Sequence, residues 1–153
     1  MSPPRVFLDS CVLIEGLVAP WSASRGLLIL GRSSLFAFVL AAIVIEETER
    51  VLISRLADRY GGGRRLKEDF DLLLARLHIE RVSHASRQQV KEAQKWIRHR
   101  NDAPVLAAAV LAKPDWLVTD NTHHFSSSVA LRTGLRIVTP VELLEAAGRG
   151  FAG

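Results

Sequence analysis

The sequence predicts an α/β fold in which a parallel sheet carries helices on both faces. Two observations point there. Short β-like runs alternate along the chain with segments of helical period, the order that builds parallel sheets. The 153 residues, 48% of them hydrophobic, suit one domain with a substantial core, and no repeat, low-complexity stretch or long linker divides them.

The elements follow in order. Residues 5–8 (Arg-Val-Phe-Leu) read as a buried strand and residues 10–18 as a helix. After Pro20 a second apolar helix covers about residues 22–30. Residues 35–40 read as a strand and residues 41–57 as a long helix, with the Gly61-Gly62-Gly63 run marking a break. Residues 64–77 are amphipathic, with Leu66, Phe70, Leu73, Leu74 and Leu77 at helical spacing. Residues 79–82 form a short strand, and residues 86–97 a polar helix capped by Ser86. An alanine-rich helix spans residues 102–112, with Pro104 in its first turn, where proline is tolerated. Residues 116–119 and 136–139 are strands, and Pro140 opens a last helix to about Ala147. The expected organisation is one domain over residues 1–147 and a flexible tail over residues 148–153.

Composition narrows the setting. Cys11 is the only cysteine, so no internal disulfide exists and a reducing cytoplasm is expected. No early basic stretch leads into an apolar run, so no signal peptide is expected. The longest apolar run, residues 35–45, has 11 residues. A membrane span needs roughly 20. A net charge of +4 and a pI near 9.8 lean towards a polyanionic partner. Two basic clusters could meet phosphates: Arg64 and Arg65 with Lys67, and Lys95, Arg98 and Arg100 with His99.

The acids carry the chemistry. Parallel sheets bind ligands at the carboxyl ends of their strands. Asp9 directly follows the first strand, and Asp120, with Asn121 beside it, follows the strand that ends in Thr119. Each also suits a plain local role, Asp9 as a helix cap and Asp120 as a turn residue. Helix geometry separates Glu46 from Glu47. Glu47 neighbours Ile43, Val44 and Val51 in the apolar stripe, whereas Glu46 lies four residues from Arg50 in an ordinary surface pair. A carboxylate facing an apolar interior is costly unless paired, hydrogen-bonded or metal-bound, so Glu47 is the candidate. Asp102 starts its helix, as a cap or as a further acid of the set. Crowded carboxylates repel unless a cation neutralises them, and hard oxygen donors suit Mg²⁺ or Mn²⁺. A lone cysteine and histidines without zincin spacing argue against zinc. No Gly-x-Gly-x-x-Gly follows a strand, which disfavours dinucleotide binding.

These residues resemble the PIN-domain family. The family's opening strand and aspartate match Val6-Phe-Leu-Asp9-Ser10, and its Glu-x-x-x-Val-Leu helix matches Glu47 to Leu52. Its Asp-Ala helix start matches Asp102-Ala103, and its strand ending in threonine matches Leu117-Val-Thr119-Asp120-Asn121. The last site departs from the pattern. The family's usual acid position is Asn121 here, with Asp120 one residue earlier, so either Asn121 serves as a neutral ligand or Asp120 acts as the fourth acid.

The resemblance implies a three-layer α/β/α sandwich and Mg²⁺- or Mn²⁺-dependent hydrolysis of RNA, single-stranded or structured. It gives Asp9, Glu47, Asp102 and Asp120 as catalytic acids. Asp9 and Asp102 are the principal ligands, with Asp120 and Glu47 holding a coordinated water or a second ion. Ser10, Thr119 and Asn121 take supporting roles, and in-line attack leaves a 5′-phosphate and a 3′-hydroxyl. Many such chains resemble VapC-type toxins, often dimeric and silenced by a small antitoxin. A PIN domain that binds RNA or protein without cutting is the alternative. Cys11 reads as packing, and His123 and His124 as solvent-facing.

Overall fold

The structure is a computed structural model describing residues 2–56 and 63–150. Three sequence expectations fall partly outside these residues: Ala57 at the end of the long helix, Gly61 and Gly62 of the glycine break, and Phe151–Gly153 of the tail.

The described residues form a three-layer α/β/α sandwich. Strands β1 (Arg5–Leu8), β2 (Ala37–Ala41), β3 (Ile79–Val82), β4 (Trp116–Val118) and β5 (Ile137–Val138) build one parallel sheet in the order β3-β2-β1-β4-β5. Helices α1 (Ser10–Val18), α2 (Ala23–Gly31), α3 (Ala42–Ser54), α4 (Gly63–Arg76), α5 (Arg87–Ala93), α6 (Ala103–Ala112), α7 (Ser127–Thr133) and α8 (Pro140–Gly148) flank it.

The strongest core lies at the centre of the sheet. Val6, Phe7 and Leu8 of β1, and Phe38 to Ala41 of β2, are fully buried, as strands covered on both faces must be. Helix α6 is apolar on all sides, and Val105 to Ala109 are buried, which makes it an internal helix. Arg5 fastens its end. The guanidinium Nη1 donates to the carbonyls of Ala112 (2.8 Å) and Lys113 (3.0 Å), where a helix presents its negative end. The same side chain pairs with Glu80 of β3.

Strand β1 sits between β2 and β4, so the chain leaves β1 to one side and later returns on the other. Such a switch point opens a crevice beyond the strand ends. In register, Leu8 lies beside Val118, and the Asp9 amide donates to the Val118 carbonyl at 3.1 Å. Asp9 and Thr119 therefore leave the sheet side by side.

Four local details differ from the sequence reading. Helix α5 ends at Ala93, not Ile97, because the chain tightens into i,i+3 bonds (Lys95 to Glu92, Trp96 to Ala93) that bring Ile97 into the core. A single 3₁₀ turn, Arg100–Asp102, precedes α6, and the Asp102 side chain caps nothing. Helix α7 was not expected. Its signals were Ser126, which accepts the Val129 amide, and Gly134, which closes the helix at φ +76°. Gly148, assigned to the tail, is the last residue of α8, and the amides of Arg149 and Gly150 fold back onto its final carbonyls. Among the described residues no single helix is long and apolar enough to cross a membrane.

The α2–β2 contact leaves no room at Gly31, where an added Cβ would lie 2.1 Å from the ring of buried Phe38. Gly31→Ala is expected to cost about 1–3 kcal/mol by overpacking, read as a lower urea midpoint at unchanged m-value.

Candidate active site

Asp9 is the best-held acid. It follows β1, caps α1 and is only 7% exposed. Its Oδ1 accepts the Ser10 amide at 2.8 Å, and its Oδ2 accepts the Thr119 hydroxyl at 2.8 Å and faces the Cys11 thiol at 3.6 Å. Desolvation outweighs these bonds, and with the negative field of Asp102 it raises the Asp9 carboxyl above the usual carboxylate range.

Glu47 stands on α3 beside the buried stripe of Val44, Thr48 and Leu52. It is half-buried. Desolvation and the charge of Asp9 raise its pKa, with Asp102 adding to the rise, while a Ser10 side-chain hydrogen bond and Arg50 oppose it. Glu46 is exposed as expected, but its partner is His84, at 2.8 Å, rather than Arg50. The β2–β3 side of the fold brings His84 nearer than the neighbouring helical turn.

Asp102 is free of capping duty. Its Oδ2 lies 2.6 Å from Nδ1 of His124, whose ring stacks on His99 at 3.5 Å between centroids. With its proton on Nδ1 the ring donates to Asp102 and leaves the second carboxylate oxygen available.

The structure thus brings Asp9, Glu47 and Asp102 into one electrostatic cluster. Asp120 belongs to an adjoining one. Its carboxyl is raised by desolvation and by the neighbouring Glu15. Cys11, between the clusters, has its thiol pushed up to about 11 by burial and the charge of Asp9. It remains a neutral thiol that packs against the core, as expected, and faces Asp9 and Thr119. Asn121 braces a loop: its amide donates to the Thr119 hydroxyl at 3.0 Å, and its Oδ1 accepts the His124 amide at 3.4 Å.

Sequence reasoning passed over Glu15, counted His99 only among the basic residues and read His124 as solvent-facing, whereas its half-buried ring pairs with Asp102. Glu15 lies four residues after Cys11 on the same face of α1, which was a usable signal. His99 and His124 meet only through the tertiary fold.

The basic candidates divide. Lys95, Arg98 and Arg100 line a cleft of about 680 Å³ together with His99, His123 and His124, so this cleft touches the acids through His124. Arg64 and Arg65 are exposed on α4 and do not line it, and Arg64 lies 3.4 Å from Glu68.

Among the described residues no three His, Cys, Asp or Glu side chains converge closely enough to hold an ion as they stand. The chemistry of the set nevertheless fits a hard divalent cation. All its donors are carboxylate oxygens, and burial, with neighbouring negative charge adding to it, raises Asp9 and Glu47 in a way a bound cation would relieve. Raised carboxyl pKa values also set the pH response. The folded metal-free chain holds protons that the unfolded chain has released, so its stability falls as pH rises through the folded pKa values. In EDTA the melting temperature should therefore climb as the pH is lowered from neutral towards the raised carboxyl range. Asp9→Asn should flatten that rise, and a melting temperature that fell on the same path would contradict the assignment.

The fold finds counterparts among known proteins. A family model described as PIN domain matches residues 5–123. Among solved structures, a chain of VapBC2 from Rickettsia felis, bound to a DNA fragment from their promoter, is similar with a TM-score of 0.64 and 13% identity, over 88% of this chain and 98% of that one. PAE2754 from Pyrobaculum aerophilum is similar with a TM-score of 0.65 and 14% identity, over 95% of this chain and 90% of that one. No curated protein matches in sequence. With the family match spanning most of its length, the chain belongs to the PIN-domain family of nucleases.

Proposed function

We propose that the chain is a Mg²⁺- or Mn²⁺-dependent endoribonuclease, the toxin of a type II toxin–antitoxin pair. The observation that carries the nuclease reading is the mutual field of Asp9, Glu47 and Asp102 at the switch point of the sheet. The toxin reading draws on the likeness to VapBC2, which suggests a small antitoxin partner. A homodimer and a cytoplasmic setting complete the proposal.

Asp9 and Asp102 would hold the ion, with Glu47 and Asp120 at its margin. A divalent ion there supplies positive charge for the scissile phosphate and makes a water acidic enough to attack at neutral pH. The protein's own groups do the rest. Thr119 and the Ser10 amide orient Asp9, Ser10 restrains Glu47, and His124 aims Asp102. Attack in line would release a 5′-phosphate and a 3′-hydroxyl.

Pure protein should cleave RNA with Mn²⁺ or Mg²⁺ and stop on adding EDTA. Asp9→Asn and Asp102→Asn should each lose more than about 100-fold, beyond what removing a ligand's outer support costs. Glu46→Gln, remote on the His84 side, should cleave normally. The displaced fourth acid favours the competing reading of a PIN domain that binds without cutting, because burial and the charge of Glu15 raise the Asp120 carboxyl and make it a poorer ligand. Binding without cleavage under any divalent ion would establish that alternative.

His124 offers a test that needs no turnover. Removing an outer-sphere support typically costs 10–100-fold in metal affinity. His124→Ala should therefore weaken Mn²⁺ binding by roughly that factor, followed by the EPR signal of free Mn²⁺. Unchanged affinity would take His124 out of the site.

A further inference from the structure

The cleft beside Asp102 differs from the rest of the basic surface. Four lysine and arginine side chains line it (Lys95, Arg98, Arg100 and Arg132), and no carboxylate stands among its described lining residues. Lys95 spends part of its charge on Glu92 at 3.2 Å, and Arg132 donates to the Lys95 carbonyl at 3.3 Å. The Arg98 and Arg100 side chains are exposed, and neither guanidinium forms a hydrogen bond or ion pair with a described residue. On α4, by contrast, Arg64 and Lys67 each have an acid one turn away, Glu68 and Asp71. The cleft's volume of about 680 Å³ lies within the 300–1,000 Å³ typical of sites that enclose a ligand group. Ser126 and Ser128 also line it.

We propose that this cleft is a phosphate-binding subsite, which seats a backbone phosphate of the RNA strand while an adjacent linkage meets the acids. The inference rests on the ribonuclease reading for the identity of the strand, and on the cleft alone for the phosphate. Arg98 and Arg100 are the principal contacts, because free guanidinium forks grip phosphate oxygens in pairs. His124 is the joint: one edge of its ring meets Asp102 and the ring lines the cleft, so a seated phosphate lies one side chain from the cluster. The His99 stack holds that ring in place.

The test reads binding rather than turnover. A short labelled single-stranded RNA is titrated in EDTA by fluorescence anisotropy between about 50 and 200 mM salt. Single-strand binding loses a slope of about 0.7 in log K against log salt for each phosphate contact removed. Arg98→Ala with Arg100→Ala should flatten the slope by about 1.4 and weaken binding roughly 10- to 30-fold near 0.1 M salt. Arg98→Lys with Arg100→Lys should restore most of the slope. Arg64→Ala with Arg65→Ala removes the same charge outside the cleft and should leave the slope unchanged. An equal loss from both alanine pairs, or none from the cleft pair, overturns the subsite, as does wild-type protein that shows no salt-dependent binding. Cleavage that survives while the cleft variants bind normally defeats the subsite alone. A cleft-dependent slope without cleavage under any divalent ion defeats the ribonuclease reading alone.

Discussion

Burial of the Asp9 carboxylate at the end of the central strand is the constraint on which the site depends. Taking a carboxylate out of water costs on the order of several kcal/mol, and each hydrogen bond to the charge returns roughly 1.5–3 kcal/mol. The β1–β4 register supplies the decisive bond by setting Thr119 beside Asp9. Thr119 also accepts the Asn121 amide, Asn121 accepts the His124 amide, and His124 reaches Asp102. Two acids distant in sequence are thereby held by one hydrogen-bonded circuit. Phe125, almost fully buried just after His124, fastens the loop to the core.

Carboxylate charge is disfavoured at two points on this edge of the sheet. At Asp120, burial and the charge of Glu15 raise the carboxyl above the usual carboxylate range. At Asp9 and Glu47, burial and the neighbouring acids outweigh the support of Thr119, Ser10 and Arg50, so a positive charge would be favoured at that point. Cys11 stays a thiol between the clusters, because it is buried and ionising it would add a charge beside Asp9.

Much of this was legible in the sequence, and the failures have physical causes. Strand–helix alternation gave the sheet, and the helical period alone distinguished half-buried Glu47 from exposed Glu46. Those are local properties. The partner of Glu46 was misjudged because i,i+4 spacing permits a pair but does not exclude a better one from another element, here His84. Capping logic offered Asp102 a role that the 3₁₀ turn removes. It would also have revealed α7, bounded by Ser126 and Gly134, had it been applied there. The exchange of position between Asp120 and Asn121 was visible, but its consequence was not. Asp120 turns to Glu15 on α1 and Asn121 turns into its own loop, and neither partner follows from spacing.

The modest net charge of +4 conceals a sharper arrangement. An uncompensated acid cluster repels a polyanion, so a cluster alone would drive away the substrate that its chemistry requires. The basic cleft on the far side of His124 reverses the field within one side chain of Asp102. Attraction in the cleft falls off within about 10 Å at ordinary salt, so only its immediate contact with the acids makes it useful to them. His124 supplies that contact. Its pairing with Asp102 and its place in the cleft wall join the acid and basic halves of the site through a single ring.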